Sequence, residues 1–101
     1  MKIELKKFQF FERMSEETNA FVADIYVNGK KVAYAKNDGH GGETYYHSYG
    51  TNNALLKKAE EYCLNLPPIK TSCGFEIEMN LVNFIDELVD SKIKMNWLIV
   101  K

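Results

Sequence analysis

The chain has 101 residues, 46% of them hydrophobic and 13% aromatic, a composition that excludes a disordered or low-complexity protein. Its length leaves room for one core, because two would each be too small to hold, so residues 1–101 are expected to form a single domain. Thirteen Lys and Arg against fourteen Asp and Glu give a net charge of −1, which provides no overall pull toward nucleic acid or an acidic membrane.

The charge is mildly uneven. Residues 1–58 carry nine basic and seven acidic side chains, and residues 59–101 carry four and seven. An acidic stretch runs from Glu76 to Asp90 and reads as a solvated surface. The start, Met1-Lys2-Ile3-Glu4-Leu5-Lys6-Lys7, alternates charge with apolarity and lacks the apolar centre of a signal peptide. No run approaches the roughly 18–20 apolar residues of a membrane helix. A cytoplasmic location without membrane contact is expected, with Cys63 and Cys73 as free thiols in a reducing compartment.

In chain order, residues 2–11 read as a strand in which Ile3 and Leu5 oppose Glu4 and Lys6. The alternation slips near Phe8, where a bulge or local twist is expected. Residues 12–19 are polar and loop-like. Phe21, Ala23, Ile25 and Val27 then form one face of a second strand, and Asn28-Gly29 follows at once. That pair suits a type I′ turn, whose two central residues both need positive φ. The return strand, 31–36, places Val32 and Tyr34 on the face shared with Ile25 and Val27. Glycines at 39, 41 and 42 make residues 37–42 a loop, and residues 43–49 return as a fourth strand rich in aromatics.

Thr51 or Asn52 can cap a helix reaching about Leu64, with Leu55, Ala59, Tyr62, Cys63 and Leu66 on the buried face. Lys57, Lys58, Glu60 and Glu61 point outward on this reading, and Pro67-Pro68 ends the helix. Phe75, Ile77 and Met79 alternate with Glu76 and Glu78 as a short strand, after which Asn80 caps a second helix. Leu81, Phe84, Ile85 and Leu88 make that helix's apolar stripe, to about Lys92; one helix over the whole of 75–92 is the alternative. The segment from Met95 to Val100 is too apolar to stand in water, and reads either as a final strand or as an interface. The fold class expected is α+β: an antiparallel β-meander of about four to five strands with two helices packed on one face.

Chemistry concentrates in Asn37-Asp38-Gly39-His40-Gly41-Gly42, running on to Tyr45, Tyr46 and His47, a stretch that holds both histidines. Glycines allow backbone N–H groups to converge into a nest for phosphate, His40 can add a hydrogen bond or a positive charge, and tyrosines can stack on a base. The competing explanation is a loop that needs positive φ, flanked by tyrosines packed across strands. The stretch matches neither the P-loop nor the dinucleotide fingerprint. Asp38, His40 and His47 are two histidines and a carboxylate of the kind that can hold a metal, but without the spacing of a specific motif, and no metal or cofactor is expected. Cys63, on the predicted buried helix face, behaves as a small hydrophobe, and Ser48 and Ser72 lack a nucleophile-elbow context. Lys30-Lys31 and Lys57-Lys58, interleaved with Tyr45, Tyr46 and Tyr49, are too few for a strong nucleic-acid footprint. Trp97, Leu98, Ile99 and Val100 have the composition of an interface core, which leaves a homo-oligomer open.

The stretch from Ala23 to Val32, running into Asn37 to Gly42, and the later Leu81 to Asp90, resemble small uncharacterised proteins of bacteriophages and bacterial mobile elements. The resemblance covers most of the chain and implies a context rather than an activity: accessory proteins of this size act by binding a host protein or by sequestering a small molecule. The reading that follows is a non-enzymatic binding protein, a phage-type accessory or anti-defence inhibitor engaging a host protein or complex. Its alternative is a small-molecule binder that holds a phosphorylated or nucleotide ligand at Asn37–Gly42. A metal- or histidine-assisted hydrolase comes last.

Overall fold

A computed structural model describes residues 1–15, 18–70 and 74–100, with backbone alone for residue 14 and residues 95–100. The order is β1 (Ile3–Phe10), a single 3-10 turn at Glu12–Met14, β2 (Phe21–Val27), β3 (Lys30–Asn37), β4 (Tyr45–Ser48), α1 (Asn53–Leu64), β5 (Ile69–Lys70), β6 (Glu76–Ile77) and α2 (Leu81–Val100). Strands β1 to β4 form an antiparallel sheet in sequential order, and β5 pairs with β6 in a separate two-stranded sheet. This is the α+β meander expected from the alternation, with both helices contributing to one core on one face of the sheet.

Two bulges decide which side chains look where. In β1 the pairing runs from Lys6 opposite Asp24 to Gln9 opposite Val22, so β1 spends one residue more than β2. Lys7 takes up the irregularity with φ of +53°, and Phe8 turns to stack on Phe21 with ring centroids 6.0 Å apart. The slip legible near Phe8 is this bulge. A second bulge lies in β3. Lys30 and Lys31 pair with Val27 and Tyr26 across the Asn28-Gly29 turn, whose residues have φ of +52° and +83° as a type I′ turn demands. The next pair, however, is Ile25 with Ala33, so Val32 is the extra residue.

One inserted residue reverses the parity of everything beyond it. Ala33 and Ala35, not Tyr34, therefore share the face of Ile25 and Ala23, and Tyr34 stands opposite Asp24 on the other side. Val32 itself stays fully buried, as the sequence suggested.

On the covered face Ile3, Leu5, Phe21, Ala23, Ile25, Val27, Ala33 and Ala35 meet Leu56, Ala59 and Cys63 of α1 and Leu81, Ile85 and Val89 of α2. The i, i+3, i+7 spacing in α1 and i, i+4, i+8 spacing in α2 each give one stripe. The α1 stripe is rotated from its expected position. Leu56 replaces Leu55 at its centre, Tyr62 is exposed, Leu66 is half-buried, and Glu60 turns partly inward because its carboxylate accepts a hydrogen bond from the Tyr46 hydroxyl at 2.6 Å. Asn52 precedes α1 in the left-handed region and makes no side-chain cap. Asn80 does cap α2, its Oδ1 accepting from the Asn83 N–H at 2.8 Å. Helix α2 then continues without a break through residue 100, so the segment from Met95 to Val100 is helical rather than a closing strand; the side chains of Trp97, Leu98, Ile99 and Val100 lie outside the described set. Among the described residues no helix is long and apolar enough to cross a membrane.

Candidate functional site

Two regions compete: the loop after β3 and the sheet face that the helices leave open. The loop is organised by Asn37, which ends β3 and is buried. Its Oδ1 accepts from the Thr18 hydroxyl at 2.8 Å and from the Gly39 N–H at 2.9 Å. Its Nδ2 donates to the Gly42 carbonyl at 3.0 Å and to Thr44 Oγ1 at 3.3 Å. The His40 N–H donates to Asp38 Oδ1, and the Gly41 N–H to Thr18 Oγ1, each at 3.4 Å. Gly39 and Gly41 hold φ of +84° and +88°, where a side chain would be strained. The N–H groups of Gly39, His40 and Gly41, three of those an anion nest would offer, are thus directed to side chains of the protein itself.

Between this loop and α2 opens a cleft of about 280 Å³, bordered by Glu43, Thr44, Asn83, Asp86 and Asp90. Thr44 donates to Asp86 Oδ1 at 2.5 Å, and Asn19 Nδ2 to Asp90 Oδ1 at 3.1 Å. Burial raises the Asp86 carboxyl above the usual carboxylate range; the Thr44 bond opposes that, and Asp90, Glu43 and Glu87 add to it. Among the described residues the cleft is lined by carboxylates and neutral side chains without Lys, Arg or His, an environment that repels phosphate. Among the described residues no three His, Cys, Asp or Glu side chains gather as metal ligands, and Asp38, His40 and His47 do not converge. Cys63 is a buried free thiol whose pKa burial pushes up to about 11, the wrong direction for a nucleophile. Cys73 and Ser72 lie outside the described residues.

The nine residues singled out from the sequence fall into three surroundings. Asn37 to Gly42 form the braced loop. Tyr46 lies on the helix side of β4, bonded to Glu60, with its phenol pushed far up by burial first and then by that carboxylate. Tyr45 and His47 stand on the opposite, open side.

That open side carries an organised surface. Register places Lys6, Asp24, Tyr34 and His47 in one row across the four strands. Gln9, Val22, Lys36 and Tyr45 form the row on one side, and Glu4, Tyr26 and Lys31 the row on the other. Rings run in a continuous chain: Tyr45 to His47 at 5.4 Å, His47 to Tyr34 at 5.5 Å, and Tyr34 to Tyr49 at 5.6 Å between centroids. Asp24, only 9% exposed, anchors the group by accepting the Tyr49 hydroxyl at 2.6 Å, with Lys31 Nζ at 3.6 Å. That bond, more than burial, pushes the Tyr49 phenol up to about 12. Lys31 Nζ also sits 5.1 Å from the Tyr49 ring centre, and Lys6 Nζ 4.5 Å from that of Tyr26.

The sequence pointed to Tyr45, Tyr49 and Lys31 but missed Tyr26, Tyr34, Lys6, Lys36 and Asp24 as their companions. The alternation of β2 did put Asp24 opposite Ile25, and Tyr26 follows by the same period. Compared with protein-family models, curated proteins and solved structures, the chain matches none. The functional reading therefore rests on its own residues.

Proposed function

We propose that this protein is a non-enzymatic binding protein that holds a macromolecule against the open face of its β1–β4 sheet. The observation that carries this reading is the ring chain Tyr45–His47–Tyr34–Tyr49, laid across the face opposite the one on which the described helix residues pack. An antiparallel sheet with one side in water ordinarily shows polar side chains there, and a continuous line of rings on that side has the composition of a contact surface.

The rings are also pre-positioned. Asp24 ties Tyr49, and cross-strand contacts hold Tyr34 and His47, so little side-chain freedom remains to be lost on binding. Tyrosine offers a broad apolar face with few rotatable bonds, the chemistry of a recognition surface rather than of bond cleavage. The setting we propose for it is that of an accessory or anti-defence inhibitor that acts by engaging a host macromolecule.

The test is in-cell photo-crosslinking with a benzophenone amino acid placed at Tyr45 or, as the opposite-side control, at Glu61. Covalent capture of a macromolecule from position 45 and not from position 61 is the expected result. Equal capture from both positions, or capture from 61 alone, would overturn the reading.

A further inference from the structure

Resting on that binding-face reading, we infer that the macromolecule is single-stranded nucleic acid, its bases stacked on Tyr26, Tyr34, Tyr45 and His47 and its phosphates met by Lys6, Lys31 and Lys36. Charge is the first argument. Strands β1 to β3 carry Lys6, Lys7, Lys30, Lys31 and Lys36 against Glu4 and Asp24, a net +3 in a chain of −1, which leaves −4 for everything else. The near-neutral total thus conceals a basic sheet and an acidic remainder. The two acids on the face are both engaged: Glu4 lies 3.8 Å from Lys2 Nζ, and Asp24 is covered by Tyr49 and Lys31. Within the three rows of the open face Lys6, Lys31 and Lys36 stand against these two acids, a net +1, and frame the aromatic rings; Lys30 pairs with Val27 of the covered side.

The kind of side chain is the second argument. Cores of protein–protein interfaces share the enrichment in tyrosine but are depleted in lysine. Here three lysines interleave with the rings, and half-buried Val22 is the one aliphatic side chain in the three rows. Aromatic platforms framed by lysine are instead how proteins hold single strands without strong sequence preference, since every base has a π-face. Base access is the third argument. A duplex hides its base faces in its own stack, so only a single strand offers them to the rings.

Fluorescence anisotropy of the full chain with labelled oligo-U and oligo-dT, each of about 12 nucleotides, and with a duplex of the same length, tests this. Both single strands are expected to bind and the duplex at least about tenfold more weakly, with a log–log salt slope near −2 for three phosphates. Tyr34→Ala and Tyr45→Ala should each weaken binding by roughly 5- to 100-fold, while Tyr62→Ala on α1 changes nothing. Lys36→Gln should flatten the slope by about 0.7. Tyr45 is exposed, so its variant stays informative even where Tyr34→Ala fails to fold. No binding of either strand at about 0.1 mM, a salt-independent signal, or equal loss in Tyr62→Ala would overturn the inference. Crosslinking from position 45 to a protein, with no oligonucleotide bound, would overturn it and leave the binding face standing; failure of both measurements would remove both.

Discussion

The two faces of the β1–β4 sheet are made by the same strands and serve opposite ends. On the covered side, Ala23, Ile25, Val27, Ala33 and Ala35 are at most 2% exposed and meet two helices. On the open side the alternate positions hold Asp24, Tyr26, Tyr34 and Lys36, the first three tied by hydrogen bonds, ring contacts and cation–π contacts in place of close packing. The difference teaches that stability and recognition are separable here: area removed from water accumulates on one side, and shape and charge are displayed on the other.

The sharpest way to break that division is to damage the covered side. Ile25→Ala empties a fully buried site and is expected to cost about 2–5 kcal/mol in urea denaturation. A loss below about 1 kcal/mol would mean that the helices do not seal this face. Next comes the loop. Asn37→Ala removes both acceptor bonds and both donor bonds of a buried amide and should cost about 1–3 kcal/mol, while oligonucleotide affinity, measured by anisotropy, stays unchanged. Asn37→Asp keeps the acceptor bonds to Thr18 and Gly39 but turns a carboxylate oxygen toward the Gly42 carbonyl, so at neutral pH it should cost at least as much. A collapse of affinity at unchanged stability would move the binding site to the loop.

A smaller effect is expected on the open side. Tyr45→Ala, at a position 42% exposed, should change stability by no more than about 0.5 kcal/mol. The smallest effect is a pH-dependent one. The Asp86 carboxyl is raised mainly by burial, so its protonated form favours the fold; that contribution is complete below the unfolded-state value and is lost as pH rises through the folded-state value. Asp86→Asn should therefore stabilise the protein at neutral pH, and the gain should vanish in acid below the ordinary aspartate range. Urea midpoints at the two pH values check this, and a gain that persists in acid would assign it to something other than charge.

Much of the covered side was legible in the sequence, and the reasons are local. Alternation from Phe21 to Val27, followed by Asn28-Gly29, specifies a hairpin through turn geometry alone. The slip at Phe8 was visible because the apolar side changes over there. The bulge at Val32 was not, because Val32 and Ala33 are both apolar and either can be buried, so the change of parity leaves no mark in the pattern. That hidden residue is what sends Tyr34 to the open face. The loop's glycines announced positive φ, but the bracing from Thr18 to Asn37 spans nineteen residues and no local motif records it. At the C-terminus apolar composition does not separate strand from helix, and α2 simply carries its period onward.

The most direct test uses the six tyrosines, which the fold divides between its two sides. Tyr26, Tyr34, Tyr45 and Tyr49 belong to the open face, and Tyr46 and Tyr62 to the helix side. NMR spectra of tyrosine-labelled protein, recorded while oligo-U is titrated in, report each ring separately. The expected result is progressive shifts at Tyr26, Tyr34 and Tyr45, a smaller one at hydrogen-bonded Tyr49, and none at Tyr46 or Tyr62. Shifts confined to Tyr46 and Tyr62, or spread evenly over all six, would contradict the division of the sheet into a sealed face and a binding face.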